Sequence, residues 1–172
     1  YPLPANAMPH NVTLDKAGKV WYTGNKNGTI GKFDPHTGAM TVYTMPDPAA
    51  HDPHTAIFDP QGILWFTLQQ SNRIGRLNPT SGAIDLVTMP TPDAKPYGIK
   101  IDAQGVPWVA CNGSNCLVKV DPATMALTEA ASPTFGWWYA TWLNGDDWPC
   151  VADERVTSLD AAAEAAPILV VG

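Results

Sequence analysis

Three stretches of this chain superpose in register: Pro9-His10 with Asp15, Gly18 and Trp21; Pro53-His54 with Asp59, Gly62 and Trp65; Pro96-Tyr97 with Asp102, Gly105 and Trp108. The copies are spaced by 44 residues and then by 43. A fixed period of roughly 40–50 residues carrying four short strand signals is the length of one propeller blade, a unit that buries its apolar face only against a neighbour. The expected fold is all-β: blades of four antiparallel strands, about three regular and a degenerate fourth, as a partial or dimer-completed β-propeller.

Local chemistry supplies the strands within a copy. Residues 11–15 and 20–23 are β-branched and aromatic runs joined by Lys16-Ala17-Gly18-Lys19, where glycine accepts positive φ. Residues 29–34 follow and end in Asp34-Pro35-His36-Thr37-Gly38, where proline fixes φ and the aspartate caps the turn. Residues 40–44 form the fourth strand, which Pro46 and Pro48 stop because proline donates nothing to a ladder. The second copy repeats this over 64–67, 73–78 and 84–88. The recurrent tryptophans read as core between blades, and Asp15, Asp59 and Asp102 as turn caps.

Blade boundaries fall at 9–52, 53–95 and 96–132, and Tyr1-Pro2-Leu3-Pro4 matches Tyr43-Thr44-Met45-Pro46 as the last strand of another blade. Residues 133–172 read as a degenerate fourth blade, with Trp148 close to period, or as an irregular tail in which 161–166 forms a short helix. Charge bounds the partners. With a net charge of −6 and no Lys/Arg run, the chain gives a phosphate backbone little to hold, so no nucleic-acid partner is expected. Nor does any stretch approach the ~20 apolar residues that span a bilayer, so no membrane partner is expected either.

In an antiparallel hairpin the start of the first strand and the end of the second lie at one end. Polar residues there would line one mouth of the channel. They are His10 with Asn25 in the first blade, His51, Asp52 and His54 with Gln69 and Gln70 in the second, and Lys95 and Tyr97 with Asn112 in the third. His36 in its turn and His51 in its loop read as solvent-facing. A histidine with an ordinary pKa near 6.5 suits proton abstraction at neutral pH. The competing reading makes Pro-His a repeat-wide structural element, because Pro-Tyr stands in the same place in the third blade.

Five elements occur together in register: Tyr43 to Pro46, Pro53-His54 to Asp59, Gly62 to Thr67 with Trp65-Phe66-Thr67, Asn72-Arg73-Ile74-Gly75-Arg76, and Asp34-Pro35 to Gly38. In these the chain resembles the streptogramin lyase (virginiamycin B lyase) family over residues 1–132. The resemblance implies a seven-bladed ring with a metal-assisted lyase site at its centre. There a histidine removes a proton α to a carbonyl polarised by Mg²⁺, opening the lactone of a cyclic depsipeptide antibiotic without water, an antibiotic-resistance activity. Laid onto this chain, Asp52 takes the first metal position, His54 the base and His10 a substrate contact, which Tyr97 joins from the same place in the third blade. Gln69 falls on the second metal position, where the family has a carboxylate. Mg²⁺ prefers one or two carboxylates with waters, so this departure weakens the expected site. The other reading is a non-catalytic propeller module that binds a ligand or protein partner at its mouth. Calcium-dependent gluconolactonase-type propellers are more distant, because their acidic four-ligand site has no counterpart here.

Seven units of ~43 residues need roughly 300 residues, against 172 in this chain. The difference leaves three arrangements: part of a longer protein, a homodimer completing the ring, or a small closed ring. Among the cysteines, Cys111 and Cys116 face each other across one turn, an expected disulfide that would suit an exported protein, while Cys150 is left over.

Overall fold

The computed structural model describes residues 1–131, which lie within one compact unit, residues 1–136. The fourth-blade reading, with Trp148 and Cys150, lies outside the described residues. Twelve strands run in chain order through them. The first blade holds β1 (Pro9–Leu14), β2 (Val20–Gly24), β3 (Thr29–Phe33) and β4 (Met40–Thr44). The second holds β5 (Pro53–Phe58), β6 (Leu64–Leu68), β7 (Arg73–Leu77) and β8 (Ile84–Thr88), and the third β9 (Pro96–Ile101), β10 (Pro107–Cys111), β11 (Cys116–Val120) and β12 (Leu127–Ala131). Each blade is a four-stranded antiparallel meander. First strands of neighbouring blades touch, β1 with β5 and β5 with β9, so they form the inner rim from which the sheets fan out.

The turns form as their sequences dictate, with one addition. Asp15 Oδ1 accepts the Ala17 and Lys19 N–H groups, both at 2.9 Å, while Oδ2 accepts the Trp21 indole N–H at 3.0 Å. Asp59 and Asp102 hold the indoles of Trp65 and Trp108 in the same way, each at 2.8 Å. The turn aspartate is thus also the polar partner that lets a tryptophan be buried. A cation lies over each of the three rings: Lys32, Arg76 and Lys119.

The tryptophans face into the next blade. Trp21 is fully buried among Ala56, Leu64, Phe66 and Leu77 of the second blade, with Phe58 edge-on at 5.5 Å. Trp65 meets Ile99, Val109, Val118 and Val120 of the third in the same way. Trp108 is half-buried only, so the reading of three equivalent core indoles holds for two of them. Two mid-strand glycines have a steric reason. A Cβ on Gly31 or Gly75 would lie 2.0 or 2.3 Å from the ring of Tyr22 or Phe66, its cross-strand partner.

Tyr1 sets its ring 4.7 Å from Phe33, and the blade that residues 1–4 would complete lies outside the described residues. One expectation changes. Cys111 and Cys116 are register partners, as their spacing suggested, but both are free, buried thiols and not a disulfide. Burial, with the neighbouring Cys116 and Glu129, pushes the Cys111 thiol up and keeps it protonated.

Candidate functional site

β1 starts at Pro9, two residues before the run that begins at Asn11, and the first strand of each described blade is bulged near its start. In β5 the pairing with β6 passes from Pro53 opposite Leu68 to Ala56 opposite Phe66, so His54 and Thr55 both face Thr67. In β1, His10 and Asn11 face Thr23 in the same manner, and in β9 Tyr97 is the extra residue opposite Ala110. A bulge kinks its strand and re-aims a side chain. Here it does so at one place in three successive blades.

The three side chains meet as a result. The His10 and His54 ring centroids are 4.0 Å apart, as are those of His54 and Tyr97. The rings tilt by 44° and 52°, giving a continuous ladder across three blades with His54 at its centre. His54 is 6% exposed, whereas His10 is exposed and Tyr97 half-buried. His54 Nδ1 shares a hydrogen bond with Thr55 Oγ1 at 3.0 Å. Burial, reinforced by the His10 charge and opposed by Asp52, pulls the His54 pKa down to about 4. The imidazole is therefore neutral at physiological pH, and a weaker base than an ordinary histidine. His36 and His51 are both exposed, and the His51 Nδ1 bonds the Ala49 carbonyl of its own loop at 3.1 Å.

This depressed pKa makes stability pH-dependent in a definite direction. In the unfolded chain His54 titrates near 6.5, so between about 6.5 and 4 the unfolded state binds more protons than the folded one. Stability contributed by neutral His54 is complete above 6.5 and is lost as pH falls towards 4. The loss is about 3 kcal/mol at most, and less where water reaches the mouth. The Asp15 and Asp102 carboxylates are also shifted: burial opposes ionisation, but indole and backbone N–H bonds outweigh it and hold both below the usual value. Their contribution is lost only below about 3.8. Urea unfolding at pH 7.5 and 4.5 is expected to give lower stability at 4.5, and His54→Gln should flatten the difference. A flat profile for the unaltered chain would contradict the burial of this ring.

Asp52 is 3% exposed and has a local task. Its Oδ1 accepts the Ser71 N–H at 3.0 Å and the Ser71 hydroxyl, and its Oδ2 accepts the Gln70 N–H. The carboxylate thereby closes the loop after β6 onto the start of β5. With both oxygens engaged and a neutral amide at Gln69, this pair does not offer Mg²⁺ the carboxylate set it prefers. Among the described residues no group of three or more His, Cys, Asp or Glu side chains stands ready to hold a metal ion.

Four-stranded blades fanned from touching inner strands, with aromatic and imidazole rings gathered at one mouth, define a β-propeller with a candidate ligand site on its inner rim. The chain belongs to the virginiamycin B lyase family, whose sequence profile matches residues 1–142. It is similar to the selenomethionine-substituted virginiamycin B lyase from Staphylococcus aureus, with 29% identity, a TM-score of 0.71, and coverage of 77% of this chain and 44% of that one. A catalytically inactive variant of the S. aureus lyase determined with quinupristin matches at 28% identity and a TM-score of 0.72, covering 79% of this chain and 45% of that one. A streptogramin B lyase structure matches at 30% identity and a TM-score of 0.71, covering 78% and 44%. The chain thus spans less than half the length of these lyases. No curated protein matches it significantly.

Proposed function

We propose that this chain carries part of a streptogramin-lyase-like site, in which His54 removes a proton from the carbon between a carbonyl and an ester-bearing carbon of a cyclic depsipeptide. The observation that carries this reading is the neutral, buried His54 ring held between His10 and Tyr97. In the tautomer whose Nδ1–H donates to Thr55 Oγ1, Nε2 is the nitrogen that takes the proton. The C–H electron pair becomes the new double bond, the C–O bond breaks, and its electrons leave with the carboxylate. The ring opens with no water consumed. His10 and Tyr97 contribute flat surfaces that hold the substrate against His54, and excluding water there favours elimination over hydrolysis.

Quinupristin, with which a lyase of this family has been determined, is the probe. Incubated with the full chain, it is expected to give a linear product of unchanged mass carrying a new C=C bond. A product heavier by one water would mean hydrolysis and refute the elimination. A second reading draws on Asp52, whose carboxylate is engaged by the loop, and on Gln69 beside it. On that reading the mouth binds the ring without turning it over, and quinupristin is bound but recovered intact.

A further inference from the structure

We propose that Thr23 and Thr67 are positioning residues, each coupling the bulge of its own blade to the bulge of the next and thereby fixing the ring ladder. The lyase reading is needed only for what the rings do to a substrate, not for how they are held. Both threonines are completely buried, and each sits on the second strand of its blade directly opposite the bulge.

The hydrogen bonds run in one direction. Thr23 Oγ1 accepts the Asn11 N–H at 3.0 Å and donates to the His54 carbonyl at 2.8 Å. Thr67 Oγ1 accepts the Thr55 N–H at 3.2 Å and donates to the Tyr97 carbonyl at 2.7 Å. A bulge leaves backbone groups that its own ladder cannot pair, and buried backbone groups must find partners. A hydroxyl both donates and accepts, so one threonine serves the N–H of its own bulge and the carbonyl of the following one. The residues whose carbonyls are gripped, His54 and Tyr97, are the ones whose rings extend the ladder. Two further bonds flank His54: Asn25 Nδ2 donates to the Pro53 carbonyl at 3.3 Å, and the Ala56 N–H donates to Asn11 Oδ1 at 2.9 Å. The third blade has Ala110 in the threonine position, so the relay acts twice among the described residues.

Ring-to-ring NOEs in the isotopically labelled full chain test this without a substrate. Thr23→Val, which keeps the shape and removes the hydroxyl, is expected to lose the His10 to His54 contact. Thr67→Val is expected to lose the His54 to Tyr97 contact, and serine at either position to restore it. The three indole N–H resonances of Trp21, Trp65 and Trp108 report whether each variant keeps its blades. Folded T23V and T67V proteins that retain both ring contacts would overturn the proposal. Failure of both to fold, with the serine variants folding normally, would assign the hydroxyls to stability alone and overturn it too. An inactive wild-type chain with both contacts intact removes the lyase reading and leaves this inference standing.

Discussion

His54→Ala is expected to slow the opening of quinupristin by about 10²–10⁴-fold, the usual contribution of a positioned general base. The ring lies at the centre of a ladder whose neighbours are each 4.0 Å away, so its loss removes the proton acceptor and a contact for both flanking rings. The measurement is the initial rate of formation of the unsaturated linear product, with far-ultraviolet circular dichroism as the check on folding. His10→Ala should act differently. His10 is exposed and tilted against His54 at one end of the ladder, so its removal should raise KM more than it lowers kcat. Turnover unchanged in the H54A protein would remove His54 from the chemistry.

The largest effect on stability is expected from Trp65→Ala. Trp65 is 1% exposed, enclosed by the apolar side chains of the third blade, and bonded through its indole N–H to Asp59 at 2.8 Å. Truncation removes the transfer free energy of a large aromatic and leaves a cavity between two blades, a loss of about 3–5 kcal/mol. It also strips Asp59 Oδ2 of its donor. For a chain of this size the thermal midpoint should fall by roughly 10 °C or more. Trp21→Ala should behave similarly, whereas Trp108→Ala should cost clearly less because that ring is half-buried. Equal losses at all three positions would contradict the blade-on-blade burial described here.

The features legible in the sequence were those written within one copy of the repeat. The period, the glycine turns and the tryptophan strand are local signals, and they place strands, blades and the mouth. Pro53-His54 and Pro96-Tyr97 stand out because they recur in register. The bulges carry no such mark. They add a single residue to one strand, and the β-branched run beginning at Asn11 gives no sign that Pro9 and His10 belong to the strand as well. Thr23 and Thr67 were visible only as parts of a motif, because their partners His54 and Tyr97 lie 31 and 30 residues along the chain on another blade. Asp52 falls on a metal position through the family resemblance, and its carboxylate accepts from Ser71, 19 residues away, in a loop closure that no local pattern announces. The turn aspartates cap backbone N–H groups, as their place before each turn suggests. Their second oxygen bonds an indole six residues on, a contact that the Asp-to-Trp spacing shared by all three copies could have suggested.

Histidine ring resonances followed during a quinupristin titration address the mouth itself, independently of catalysis. His10 and His54 belong to the ladder, whereas His36 sits in the turn between β3 and β4, at the opposite end of the first blade. If successive bulges build the ligand site, the His10 and His54 signals should shift together and saturate together while His36 stays still. Shifts at His36 with the ladder unmoved, or no histidine responding at saturating ligand, would mean that the rings gathered on the inner rim are not where this protein meets its ligand.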